Sequence, residues 1–334
     1  GYTPAAGIAP LREAVAADLH RRFNAGVNPD KVLIVPGGKI TMFAAILMFG
    51  EPGAEILYPD PGFPIYRSMI EFTGATPVPV PVREENGFAI SAEETLSLIT
   101  PRTRLLILNS PANPCGGVTP RAEIDKLVAG LGAHPEVAVL SDEIYDQILY
   151  DGEVHVTLLD YPEIRDRLIL LNGWSKTYAM TGWRLGYSVW PDGLFDKARK
   201  LAVNAWSCVN TPAQYAALEA LTGPQDAVGE MLAAFDRRRQ TIVAELSQID
   251  GITVPTPKGA FYVYADVAGL LGRTWGGVTP SSSLELADLM LEQADVAAVP
   301  GEAFGPSGYL RFSYALGDDA LLEGVQRLQR LFAA

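Results

Sequence analysis

Short, uninterrupted apolar runs, each bounded by Gly, Pro, Asn, Asp or Ser, recur from Lys31 to Leu171. They are Lys31–Val35, Glu55–Tyr58, Thr76–Val80, Leu105–Leu108, Val137–Leu140 and Leu168–Leu171. Continuous rather than alternating apolarity suits parallel strands buried on both faces. Between the runs the spacing turns helical: Leu11, Val15, Leu19 and Phe23 recur every fourth residue, and another helix begins near Thr41. Strand, loop and helix in repetition predict a doubly wound α/β domain, a mostly parallel sheet sandwiched by helices.

Gly223-Pro224 interrupts this pattern. A long helix is predicted from about Gln225 to Leu246. Beyond Gly251, Gly259–Asp266 alternates, Ser283–Gln293 has helical spacing, and Val296–Val299 and Tyr309–Tyr314 read as strands. This block predicts a smaller α+β domain, which divides the chain into residues 1–224 and 225–334. Arg237-Arg238-Arg239 reads as a solvated helix face.

A chain of 334 residues has room for two sizeable cores. Its formal net charge of -13 disfavours nucleic acid and anionic membrane as partners. The longest helical apolar run, Ile40–Phe49, is about half of the ~20 residues a membrane span needs. Cys115 and Cys208 are too few for a disulfide framework, which suits a reducing compartment and a cytoplasmic location. His20, His134 and His155 lack metal-ligand spacing and are expected at the surface, so no metal site is predicted. No G-x-S-x-G elbow accompanies them.

The chemistry concentrates in loops that follow apolar runs. Residues Asn172–Gly186 read N-G-W-S-K-T-Y-A-M-T-G-W-R-L-G. Lys176 therefore falls at the carboxyl end of a sheet strand, where open α/β sheets bind ligands. A lysine held there is a candidate Schiff-base former, and Arg184 suits a phosphate. Two further loops, Asn109-Ser110-Pro111-Ala112-Asn113-Pro114 and Ser141-Asp142-Glu143-Ile144-Tyr145, end neighbouring strands. Read in order, G-G-K, N-x-N-P, S-D-E-I-Y, S-K-x-x-x-x-x-G-W-R and R-x-S-Y closely resemble the motifs of the class I/II aminotransferases, pyridoxal-phosphate enzymes of fold type I. The resemblance runs from Tyr2 to Tyr314.

That resemblance implies a role for each matching residue. Lys176 carries the cofactor and moves the proton at the substrate α-carbon. Asp142 pairs with the pyridine nitrogen; from sequence alone it could equally cap a helix. Tyr145, one helical turn on, and Asn113 hold the cofactor's ring oxygen. Gly38, Lys39, Ser175 and Arg184 surround the cofactor phosphate, and Phe63 stacks on the ring, although core packing explains a phenylalanine as well. Tyr2 reaches the phosphate of a neighbouring subunit, which implies a homodimer with shared sites. Arg311 clamps the substrate α-carboxylate, supported by Asn113. Lys39 faces a second carboxylate, which points to aspartate as donor and 2-oxoglutarate as acceptor in a ping-pong exchange. A lyase or β-decarboxylase on the same scaffold would show the same cofactor loops. A cofactor-binding regulator would need a DNA-binding module or basic patch that the sequence lacks.

The chain also departs from the family. Gly173 stands where many relatives carry a phosphate-binding serine, which predicts a weaker phosphate grip. Cys115 replaces the usual threonine of N-P-T-G, a packing change. The family's amino-terminal segment, which covers the substrate, is expected to be missing from this sequence.

Overall fold

The computed structural model describes residues 1–333. In chain order, α1 (Ala9–Phe23), β1 (Val32–Val35), α2 (Lys39–Phe49), β2 (Glu55–Asp60), α3 (Ile65–Phe72) and β3 (Thr76–Pro81) come first. Next are α4 (Ala92–Ser97), β4 (Thr103–Asn109), α5 (Arg121–Leu131), β5 (Ala138–Asp142), β6 (Leu168–Gly173) and β7 (Gly186–Val189). Helices α6 (Asp192–Ala205), α7 (Thr211–Thr222) and α8 (Asp226–Leu246) lead into β8 (Tyr262–Asp266), α9 (Ser283–Ala294), β9 (Val299–Pro300), β10 (Tyr309–Ser313) and α10 (Asp318–Phe332).

The first seven strands form one sheet in the order β1-β7-β6-β5-β4-β2-β3. Side chains alternate across it. Leu105, Ile107, Leu140, Ile169 and Leu171 face the layer that holds Met42, Ile46, Tyr66 and Ile70 of α2 and α3. Leu106, Leu108, Val139, Leu168 and Leu170 face Leu11, Val15 and Leu19 of α1 and Ile124 and Leu127 of α5. Burial on both faces is why these strands read as unbroken apolar runs. β3 is the exception: its Thr-Pro-Val-Pro-Val-Pro sequence lies at the sheet edge and is mostly accessible, because proline cannot donate to a ladder on both sides.

Strand β7 was not expected from the sequence. It runs antiparallel to both β6 and β1. Its amino-terminal end therefore meets the carboxyl ends of its neighbours, and residues 174–185 leave and re-enter the sheet at one edge. Its Gly-Tyr-Ser-Val sequence is short and opens on glycine, so it carries little strand signal.

The second sheet has the order β8-β10-β9, all antiparallel. Val263 and Ala265 of β8 and Leu310 and Phe312 of β10 pack with α8, α9 and α10, and this core is continuous with one layer of the large sheet. The strand expected over Val296–Val299 shrinks to Val299–Pro300, because α9 ends in the left-handed Asp295 and the chain needs several residues to turn back.

Two surface expectations are corrected. His155 is buried; its Nε2 lies 2.8 Å from the carboxylate of Glu143, a buried acid that also accepts hydrogen bonds from Ser141 Oγ and Leu158 N. Arg239 is also buried: it donates to both carboxylate oxygens of Asp151, to Asp236 and to the Pro257 carbonyl, and stacks on Tyr150. Arg237 and Arg238 both pair with Asp318 of α10, so the run ties two helices together.

Candidate active site

The carboxyl ends of β1, β4, β5 and β6 and the start of β7 surround a cleft of about 330 Å³, closed on one side by the second sheet. Gly38, Lys39, Phe63, Asn113, Asp142, Tyr145, Ser175, Lys176, Arg184 and Arg311, separated widely in sequence, all line it. Tyr2 does not; it is 91% exposed.

Asp142 ends β5. Strand pairing continues through it, so it caps no helix; its Oδ1 accepts a 3.3 Å hydrogen bond from Ile144 N in the turn that follows. That turn, rather than the expected helix, brings Tyr145 to the cleft. The side chain of Asn109, at the end of β4, donates to the Asp142 carbonyl (3.1 Å) and accepts from Asn113 N (2.9 Å), which fixes two loops to each other. Burial pushes the Asp142 carboxyl up to about 6, against the pull of a hydrogen bond from Tyr66 Oη at 2.6 Å.

Lys176 lies in the loop between β6 and β7, anchored by the buried Trp174, whose Nε1 donates to the Ala217 carbonyl. Its Nζ sits over the rings of Phe261 (5.2 Å) and Tyr145 (5.7 Å). Partial burial and the nearby Arg311, Arg184 and Lys39 cations hold the amine below the ordinary lysine range. Among the described residues its Nζ has no ion-pair or hydrogen-bond partner.

Arg311, on β10, donates from Nη1 to Asn113 Oδ1 at 2.9 Å and lies between the rings of Tyr262 (4.4 Å) and Phe304 (4.8 Å). Its Nε is buried without a partner, as expected of a donor that awaits a carboxylate. Tyr262 Oη is also 2.8 Å from Tyr145 Oη. Lys39 opens α2 at the exposed mouth, its Nζ 5.1 Å from the centre of the Phe63 ring.

On the far side the backbone forms a cradle. Gly37 has φ +85°, and a Cβ there would lie 2.2 Å from Arg184 Nη2. Arg184 itself is left-handed (φ 55°) and is held by a 2.7 Å bond from Nη1 to the Thr181 carbonyl. Gly186 approaches so closely that its Cβ would meet Gly38 N at 2.6 Å, and a Cβ on Gly173 would lie 2.7 Å from Gly186 Cα. The chain thus brings a guanidinium and the amino-terminal end of α2 together where only glycines fit, and both favour an anion.

These groups fit pyridoxal phosphate. The cradle suits its phosphate, the uncompensated carboxylate of Asp142 suits a protonated ring nitrogen, and the free amine of Lys176 suits its carbonyl. Tyr66, Phe261, Tyr262 and Phe304 were missed from the sequence. Tyr66 stands three residues after Phe63, and the alternation of Gly259–Asp266 contained Tyr262, but buried aromatics read first as core.

The model of the aminotransferase class I and II family matches residues 1–328. The chain belongs to that family. An aspartate aminotransferase of Streptomyces avermitilis is 44% identical over 99% of this aminotransferase and 81% of its own length. An aspartate/prephenate aminotransferase of Cereibacter sphaeroides is 38% identical, with 99% and 84% covered. The crystal structure of the aspartate aminotransferase from Rhizobium meliloti superposes with a TM-score of 0.95 at 35% identity, covering 100% of this chain and 84% of that one. An aromatic aminotransferase from Pyrococcus horikoshii superposes with a TM-score of 0.92 at 34% identity, covering 100% of this chain and 88% of that one. The sheet of this aminotransferase is the expected fold-type-I arrangement.

Proposed function

We propose that this aminotransferase uses pyridoxal 5'-phosphate and that aspartate and 2-oxoglutarate are its leading substrate pair, in a ping-pong exchange. The observation that carries the cofactor reading is the buried Asp142, without a cationic contact, in one cleft with the unpaired amine of Lys176.

When bound, the cofactor supplies a carbonyl that condenses with amines and a ring that withdraws electrons from the substrate α-carbon. The residues of this chain do the rest. Gly38, Ser175, Arg184 and the start of α2 bind the phosphate, and Phe63 packs against the ring. Asp142 keeps the proton on the ring nitrogen, while Asn113 and Tyr145 take the ring oxygen. Arg311, packed against Tyr262 and Phe304, grips the α-carboxylate and fixes the direction of the Cα–H bond. Lys176, its amine pKa lowered, would take the α-proton and return it on the far side of the substrate nitrogen, two atoms from where it left. Lys39 meets the side-chain carboxylate of a dicarboxylic donor. The relatives named for aspartate support this choice.

Residues 1–224 would form the cofactor-binding domain and 225–334 the smaller one. The exposed Tyr2 suits contact with the phosphate of a second subunit in a homodimer. A soluble cytoplasmic setting accords with two free cysteines.

The test is a panel of amino donors at fixed 2-oxoglutarate. Aspartate should give the highest kcat/KM, with glutamate as the second product. A higher value for an aromatic donor would overturn the aspartate assignment. Release of carbon dioxide or ammonia without oxo-acid recycling would replace transamination with lyase chemistry.

A further inference from the structure

Asp142 carries the cofactor reading, yet its two side-chain hydrogen bonds come from neutral donors: Tyr66 Oη at 2.6 Å and Ile144 N at 3.3 Å. Tyr66 has no solvent-accessible surface. Its N–H bonds the Phe63 carbonyl at 3.0 Å, and the two rings meet edge to face at 6.1 Å. One turn at the start of α3 thus presents Phe63 to the cleft and Tyr66 to the carboxylate. A phenylalanine would fill the same core space. The hydroxyl adds only its bond to Asp142, and a phenol beside a carboxylate donates its proton.

We propose that Tyr66 is the positioning residue for Asp142: its phenol fixes the carboxylate against rotation and keeps it ionised in a buried site, ready to hold the proton on the ring nitrogen. This rests on the cofactor reading above. The other titratable groups that face Asp142 are Glu143, the next residue beyond β5, Tyr145 from the following turn and Lys176 from the β6–β7 loop; Glu143 is in turn paired with His155. Glu143 opposes ionisation of Asp142 and Lys176 favours it, and a change at Tyr66 leaves both in place. Buried without its phenol donor, the carboxylate would take up a proton at higher pH, and the ring nitrogen would lose its anionic partner.

The test is Tyr66→Phe in the full chain loaded with pyridoxal phosphate, beside the wild type and Asp142→Asn. The acid limb of kcat/KM for aspartate should move up by about one pH unit, the size expected for a lost hydrogen bond to a charged group. The rate should recover at higher pH. In the cofactor-free protein, isotope-edited infrared spectroscopy should show the Asp142 carboxyl midpoint rising in parallel, with Asp142→Asn as the blank. If Tyr66→Phe does not accumulate folded, 3-fluorotyrosine at position 66, a stronger donor, should move limb and midpoint down. An unmoved limb and midpoint in the folded variant, or with fluorotyrosine, would overturn the proposal, because packing alone shifts neither. A wild-type protein that takes up no pyridoxal phosphate would overturn the proposed function and this inference with it. A wild type that transaminates beside an unmoved variant overturns this inference alone.

Discussion

Arg311 donates to the side-chain oxygen of Asn113 across 2.9 Å of space and 198 residues of sequence. The bond joins the small sheet to the loop after β4 and sets the plane of the guanidinium. Arg311→Lys keeps the charge and loses the planar fork. It should raise KM for amino and oxo acids alike and lower kcat/KM by about 10²-fold, the scale of one charged hydrogen-bond pair. Steady-state kinetics in both directions would check this; an effect on only one substrate class would refute the shared clamp.

Lys176→Ala removes the amine that is proposed to bind the cofactor and to move the α-proton. Activity should fall by at least about 10²–10⁴-fold, the contribution of a positioned acid–base group. The absorbance of the lysine–cofactor adduct should vanish. A covalent adduct that survives borohydride reduction and digestion in the variant would place the nucleophile elsewhere.

Asp142→Asn should divide stability from function. The carboxyl rises from its ordinary 3.8 to about 6 on folding, so its burial costs roughly 3 kcal/mol at neutral pH at 1.36 kcal/mol per pKa unit. The native state binds that proton more tightly than the unfolded chain. The cost is therefore absent below about pH 4, grows up to about pH 6 and is complete above it. Cofactor-free Asp142→Asn should accordingly melt higher than the wild type at pH 7 and match it at pH 4, while its transamination is severely reduced. Calorimetry at the two pH values would show it.

Lys39 stands at the accessible mouth with its amine near Phe63. Lys39→Gln should cost aspartate about 10-fold or more in kcat/KM, the scale of a hydrogen bond to a charged group, and leave alanine nearly unchanged. Equal losses for the two donors would argue for a phosphate role instead.

Gly173→Ser tests a departure noted in the sequence. A missing hydroxyl suggested a weaker phosphate grip, but the structure supplies a packing reason for glycine, since a Cβ would lie 2.7 Å from Gly186 Cα. The variant should lose about 1–3 kcal/mol of stability, the usual cost of overpacking, and bind pyridoxal phosphate no more tightly. Thermal melts and cofactor titration would measure both effects.

Most of the large sheet was legible in the sequence, because burial on both faces writes strands such as Leu105–Leu108 as plain apolar runs. Lys176 and Asp142 stood out because they closely follow such runs, whereas Arg311, inside a strand, was marked only by its match to the family's R-x-S-Y motif. Strand β7 did not stand out: four residues that open on glycine carry almost no pattern. Nor did Tyr66 or Tyr262, whose hydroxyls act from fully or nearly buried rings. His155 and Arg239 misled in the opposite sense, because a polar side chain reads as exposed until its buried partner, Glu143 or Asp151, is known.

The reversal of β7 has a mechanical consequence. Lys176 and Arg184 ride on one loop whose two ends are stitched to adjacent strands of one sheet, whereas Arg311 belongs to another sheet. Any relative movement of the two sheets would strain the Asn113–Arg311 and Tyr145–Tyr262 hydrogen bonds that join them, while Lys176 and Arg184 stay on one frame. The spacing between the Lys176 amine and the Arg184 guanidinium is therefore set within a single sheet, independently of the one that carries Arg311.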